Sequence, residues 1–259
     1  NPFTVGSSEL LDTQAGSLTL NGSVIIGENG IIESSSGSLT FNDGVDLENG
    51  SLSLTGGSVT LNSGATISGS ELKLFDSSLT LAGNVGMIND STLSLKNSAI
   101  NPGSYIIAMT GGTLGLGGTY SNFGAVETDN NTSLELNAET TISSDIAIVI
   151  GGLELNDYTL TLGSATTDLT MQSALAVENS NSKLITNNAD LILKSSLQLT
   201  AGSITSTAGT LSLSEGGSLE NSGILDVSGT TPEGLCFEAI QKDLIPGNSN
   251  QDSYFINFS

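Results

Sequence analysis

The sequence predicts an all-β protein, a right-handed parallel β-helix (β-solenoid) with about 20 residues per coil and a short C-terminal cap. Three observations lead there. A Leu-x-Leu unit recurs through the chain. A Gly-Ser/Thr-aliphatic mark precedes many copies of it, and no 3.6-residue apolar period competes with either.

The Leu-x-Leu unit appears as Leu18-Thr19-Leu20-Asn21, Leu39-Thr40-Phe41-Asn42, Val59-Thr60-Leu61-Asn62, Leu134-Glu135-Leu136-Asn137 and Leu153-Glu154-Leu155-Asn156. Variants fall at Leu72, Leu93, Leu114, Leu191 and Leu211. Neighbouring copies begin 19–21 residues apart, and extra copies at Leu52, Leu79, Leu160 and Leu197 place a second face in the same coil. Alternate residues of a strand face opposite sides, so each unit turns two aliphatics inward and one small polar residue outward. The glycine mark, as in Gly16-Ser17-Leu18, Gly37-Ser38-Leu39, Gly57-Ser58-Val59 and Gly209-Thr210-Leu211, is read as a corner tolerant of positive φ.

One coil cannot bury its own apolar face. Stacked parallel, each strand pairs with its copies about 4.8 Å above and below. About eleven coils would give a rod on the order of 50 Å long. Right-handed crossovers are the rule for parallel strands. Asn21, Asn42 and Asn62 then fall at equivalent corners, where they are expected either to form a side-chain amide ladder or to serve as plain turn residues. Leu136 is assigned inward and Glu135 outward.

The repeat domain is expected to span 1–229. After Thr230 the unit disappears, and 230–259 is read as a cap or a junction to a further domain, with a short helix over Glu238–Ile245 stopped by Pro246-Gly247. The irregular stretch Asn97–Met109, with Pro102 and Tyr105, is the candidate for a protruding loop, set against a reading as a tolerated insertion in an ordinary coil.

Composition narrows the function classes. With 27 acidic residues, five lysines, no arginine and no histidine, the formal charge is -22. Nucleic acid and anionic lipid would be repelled. The longest apolar run, Ile146–Ile150, is far too short to span a bilayer. Without histidine there is no Ser-His-Asp or Cys-His arrangement and no His zinc site. The single cysteine, Cys236, cannot form an intrachain disulfide. Elimination across uronates, the chemistry of pectate-lyase-like β-helices, wants clustered basic residues, whereas the five lysines are dispersed. Glycoside hydrolysis needs only paired carboxylates. Asp43, Asp46, Glu48, Glu71 and Asp76 are the candidates, set against a reading as solvated loop acids.

No organic cofactor is expected. A structural calcium ion is the most plausible small partner, with Asp43, Asp46 and Glu48 in one cluster and Asp129 in another as candidate ligands, set against unoccupied turn acids. Thr-x-Thr arrays, which would suggest a flat hydroxyl face for binding ice, are not regularly repeated.

The run Ala208-Gly209-Thr210-Leu211-Ser212-Leu213-Ser214-Glu215-Gly216-Gly217-Ser218-Leu219-Glu220-Asn221-Ser222-Gly223-Ile224-Leu225-Asp226-Val227-Ser228-Gly229 resembles the repeats of filamentous-haemagglutinin-like adhesins and autotransporter passengers. Copies within 16–98 look similar. The resemblance implies a β-helix exported by a bacterium to the cell surface or medium, acting as an adhesive segment or rigid stalk. It implies partners among host or neighbouring-cell receptors, glycans or further copies of the chain. It carries over no catalytic residue, and the family's translocator barrel is not recognisable here. The alternatives are a self-assembling filament or coat subunit and, behind it, a polysaccharide-active enzyme.

Overall fold

The structure, a computed structural model, describes residues 2–144, 146–163, 168–214 and 217–226, together with the backbone of Leu235–Phe237. It is a parallel β-solenoid of about ten turns, roughly 21 residues apart. Every strand pairing among the described residues is parallel, and register is kept coil after coil. Val24, Val45, Ala65, Val85, Ile107 and Val126 occupy one column in successive coils.

Each coil has three faces. The first is a seven-stranded sheet from Phe3–Val5 to Val126–Glu127. Later coils continue it as a five-stranded sheet from Ala147–Ile150 to Leu235–Phe237. The second and third faces share one 15-stranded sheet, because Ser51–Leu61, Glu71–Leu81, Gly112–Tyr120 and Thr132–Ile142 bend round a corner without a break. On the second face this sheet stops at Gly152–Glu154, and a separate three-stranded sheet begins at Leu175–Val177.

The in/out alternation sets the core. In Glu71–Leu81, Leu72, Leu74, Leu79 and Leu81 are buried while Glu71, Lys73 and Thr80 look outward. One aliphatic column runs from Val5 to Leu225, and each buried Leu, Ile or Val contributes roughly 1.5–3 kcal/mol against the entropy of ordering its coil. Leu11, Leu18 and Leu20 of the first described coil are partly covered, whereas Ile32, Leu39 and Phe41 in register with them one coil on are buried. Leu10, 58% exposed, and Ile31, in register with it, face outward.

The expected asparagine ladder is present. The Asn42 amide donates to the Asn21 side-chain oxygen, and the Asn62 amide to that of Asn42, each at 2.7 Å. The glycine mark has two causes. Gly112 before Thr113-Leu114 and Gly202 before Ser203-Ile204 have positive φ (83° and 71°), as expected. Gly16, Gly37 and Gly57 instead stack in a column without positive φ; a Cβ on Gly37 would lie 1.8 Å from the Gly16 carbonyl oxygen, and one on Gly57 2.1 Å from that of Gly37. In that column the mark records backbone touching backbone between coils. Left-handed corners are supplied largely by asparagine and aspartate, at Asn29, Asn49, Asp76, Asn89, Asn97 and Asn156 among others.

Of the two readings of Asn97–Met109, the structure gives the insertion in an ordinary coil: Ala99–Asn101 is a rung on Ser78–Thr80 and Ile107–Met109 one on Val85–Met87, with only the turn between them extra, where Tyr105 is 38% exposed. Leu235–Phe237 pairs with Leu211–Leu213, so the stack reaches past residue 229. The rest of the 230–259 cap, including the expected helix at 238–245, lies outside the described residues.

Candidate functional site

The outer side of the third face carries two ranks of hydroxyls. Ser17, Ser38, Ser58 and Ser78 stand in register, and so do Thr19, Thr40, Thr60 and Thr80. The ranks are spaced about 4.8 Å along the stack and about 6.6 Å across the strand. The Ser38 hydroxyl donates to that of Ser17 at 2.9 Å, tying rank members together. Thr119, Thr141 and Thr161 form a further threonine rank in later coils. The regular array is Ser-x-Thr, which a scan for Thr-x-Thr passes over. Aligning the coils on their Leu-x-Leu units would have revealed it.

The second feature is a groove of about 840 Å³ on the second face, between the strands Gly152–Glu154 and Leu175–Val177. Two coils separate there. Before the groove they are joined by Gln172 N–H to the Ile150 carbonyl (3.0 Å) and Ser173 N–H to that of Gly151 (2.8 Å). After it they rejoin through Lys183 N–H to the Tyr158 carbonyl (3.2 Å) and Asp157 N–H to the Ser182 hydroxyl (3.2 Å). Glu154, Asp157 and Glu178 stand exposed on its walls, Gly152, Ala174 and Ala176 keep it open, and its lining holds no lysine. Asn156 and Asp157, at φ 48° and 69°, form the left-handed corner at one end. A second depression, about 720 Å³, lies beside the Pro102–Gly103 turn and Ser121–Asn122.

The acids singled out from sequence are scattered. Asp46 and Glu48 project outward from the first face, while Asp43 caps its own corner by accepting Gly44 N–H at 2.9 Å. Glu71 pairs with Lys73 on the second face, and Asp76 accepts the Asn97 amide at 3.2 Å at a corner. None of these lines either of the two depressions just described. Asp129 sits several coils further on. Its Oδ1 accepts Gly111 N–H (3.0 Å), Asn131 N–H (3.0 Å) and the Thr132 hydroxyl (2.9 Å). Partial burial pushes its carboxyl pKa up, but those donors outweigh it and hold the pKa below its ordinary value. Its donors are thus protein groups holding a corner together. Among the described residues, no three His, Cys, Asp or Glu side chains converge as a metal site would require.

Sequence reasoning also passed over the buried hydroxyls. Gly50 N–H donates to the Ser70 hydroxyl at 3.1 Å and Ser70 N–H to that of Ser91 at 3.3 Å, so serines inside one corner satisfy the coil below. Ser77 N–H donates to the Ser98 hydroxyl at 3.2 Å in the same way at the next corner. No protein-family model, curated protein or solved structure gives a significant match to this chain.

Proposed function

We propose that this chain is a structural and adhesive segment of a secreted or cell-surface protein, a stiff β-helical stalk that attaches to receptors or glycans through its outer faces. The observation that carries the reading is the pair of Ser and Thr ranks repeated at every coil step from Ser17–Thr19 to Ser78–Thr80. A surface that presents the same hydroxyl pair at a fixed interval suits a polymeric or crowded target. Contacts weak singly then add through multivalency. The charge of -22 turns the stalk away from nucleic acid and anionic lipid. In this reading the chain carries no catalytic step.

The test is adhesion of the purified chain, displayed on beads, to glycan arrays and to cultured cells. Binding that weakens when Thr40, Thr60 and Thr80 are replaced together by glutamate supports the reading. Failure of displayed chain to bind any surface, or release of soluble sugars from a bound glycan, overturns it.

Self-assembly is favoured by one separate observation, the exposed apolar pair Leu10 and Ile31 in register on the outer side of the second face. Neighbouring apolar side chains on an outer face offer a contact for a second copy of the chain. Concentration-dependent growth in sedimentation velocity, abolished by Leu10→Lys, would support assembly; a monomer at all concentrations would remove it.

A further inference from the structure

The threonine rank of the third face stops at a break in the stack. Asn101 stands where a fifth threonine would, in register with Thr80. The next coil's segment on this face, 118–120, pairs with 140–142 and, among the described residues, not with Ala99–Asn101. The depression beside the Pro102–Gly103 turn lies at this break, with Thr80 and Asn101 on one side and Ser121 and Asn122 on the other. At about 720 Å³ it falls within the size of small-molecule clefts. Asn101, Ser121 and Asn122 are exposed, and Thr80 is half-buried. Among the described residues none of these four side chains has a hydrogen-bond partner, and Asn122 does not cap the adjoining turn Phe123–Ala125. Each of the four can both donate and accept. Buried Leu81 and Ala125 give the depression an apolar floor. The Tyr105 ring, 38% exposed, stands at its rim, 3.9 Å from where a Cβ on Gly103 would lie. In a chain of charge -22, no carboxylate and no lysine lines this depression.

We propose that this depression takes a neutral sugar unit of a glycan. The sugar hydroxyls, which also donate and accept, exchange hydrogen bonds with Thr80, Asn101, Ser121 and Asn122. Its apolar C–H face lies toward the Pro102–Gly103 turn and Tyr105, whose ring is an apolar body with a polar tip. The proposal rests on the attachment reading and narrows its partner to a neutral glycan. A charged ligand finds no counter-charge in the lining, and an acidic glycan is repelled by the chain as a whole.

The probes are neutral hexasaccharides of glucose, mannose and galactose, with a hexasaccharide of galacturonic acid and a neutral peptide of alternating serine and glycine as controls. Each is titrated into the isotopically labelled full chain and followed by backbone and asparagine side-chain amide shifts. At least one neutral sugar should shift amides within 80–81, 101–105 and 121–125 and the side-chain amides of Asn101 and Asn122. Its binding should not weaken with added salt, since no ion pair is involved. Asn101→Ala and Asn122→Ala, both at exposed positions, should each weaken it about three- to tenfold. No shift at these amides from any of the three sugars, shifts elsewhere only, or undiminished binding by the double variant would overturn the assignment. So would equal binding of the galacturonate, or shifts here from the peptide and not from a sugar. Adhesion of the displayed chain separates the two readings. Adhesion without sugar-induced shifts at these amides removes only the assignment of the depression, and such shifts without adhesion to any surface remove the attachment reading.

Discussion

Asn137 and Ser94 lie two coils apart, yet the Asn137 side-chain amide donates to the Ser94 hydroxyl at 3.2 Å, crossing over Gly115 of the coil between. The span is open because Gly115 has no side chain; a Cβ there would lie 2.6 Å from Asn137 Nδ2 and 3.3 Å from Ser94 Oγ. Gly115→Ala should displace the amide and cost about 1 kcal/mol in urea denaturation. In an Asn137→Ala background the same change should cost much less, since nothing is left to displace. Equal costs in both backgrounds would show that Gly115 matters for some other reason.

The stacked glycines give a sharper contrast. A Cβ on Gly57 meets the Gly37 carbonyl oxygen at 2.1 Å, and backbone cannot step aside as a side chain can. Gly57→Ala should cost about 1–3 kcal/mol or more through overpacking. A Cβ on Gly86, on the outer side of the first face, meets nothing within 4 Å, and its φ is not positive. Gly86→Ala should be neutral or stabilise by about 0.4–1 kcal/mol by restricting the unfolded chain. Parallel thermal melts decide it, and similar shifts for both variants would refute the close approach of the coils.

Leu136 and Glu135 test the alternation itself. Leu136 is 1% exposed inside the column, and its neighbour points out. Leu136→Asp should destabilise by about 3 kcal/mol or more, combining a lost aliphatic with an unpaired buried carboxylate. Glu135→Ser removes only an exposed hydrogen bond from the Asn156 amide (3.0 Å) and should change stability by less than about 0.5 kcal/mol. Comparable losses would place the wrong residue inside.

What sequence reveals here follows from which forces repeat. Leu72 and Leu74 are legible because apolar alternation leaves a period-two mark wherever a strand has one wet face. The column Gly16, Gly37, Gly57 was visible as a pattern but misassigned, since a corner glycine and a contact glycine look alike until the coil below is in place. Ser70, Ser91 and Ser98 look like outward polar residues and are buried, because a corner breaks the alternation and its backbone needs partners inside. The groove was hidden for a related reason. Leu153-Glu154-Leu155-Asn156 reads like every other unit, and what sets it apart is the failure of Leu175–Val177 to pair with it, a relation between coils. The Ser and Thr ranks were legible in principle, needing only alignment of the coils.

Asp129 predicts an acid limb. Its donors from Gly111, Asn131 and Thr132 favour the carboxylate in the folded chain, which lowers its pKa against the effect of partial burial. A group depressed on folding stabilises above its unfolded value of about 3.9, and that contribution is lost as pH falls through the folded value. Asp129→Asn should therefore melt lower than the parent at pH 7, and the two should converge as pH is taken well below the unfolded value. A difference that stays constant with pH would mean the carboxylate charge plays no part.

Tyr120 predicts the opposite limb. It turns inward beside the irregularity between Leu116 and Gly118, is 4% exposed, and packs edge-on against Phe123 with ring centroids 5.7 Å apart. Its hydroxyl lies 2.8 Å from the Leu95 carbonyl and 2.9 Å from that of Gly117, so it can donate to either and bridges two coils. Burial pushes the phenol pKa up to about 12 despite the contact with Gly117, because a phenolate inside the stack would be poorly solvated. A raised folded value means that the neutral form stabilises the fold. That contribution is fully present below the unfolded value of about 10 and is lost as pH rises toward the folded one. Tyr120→Phe should lose about 1–3 kcal/mol at pH 7 by leaving buried carbonyls without their donor. Between about pH 10 and 12 the parent should lose stability relative to the variant, narrowing the gap. Tyrosinate absorbance should show a late-titrating component in the parent that is missing from Tyr120→Phe. If the parent and Tyr120→Phe differ by a tyrosine that ionises near its ordinary value of about 10, Tyr120 is in contact with water and the closed core at this coil is wrong.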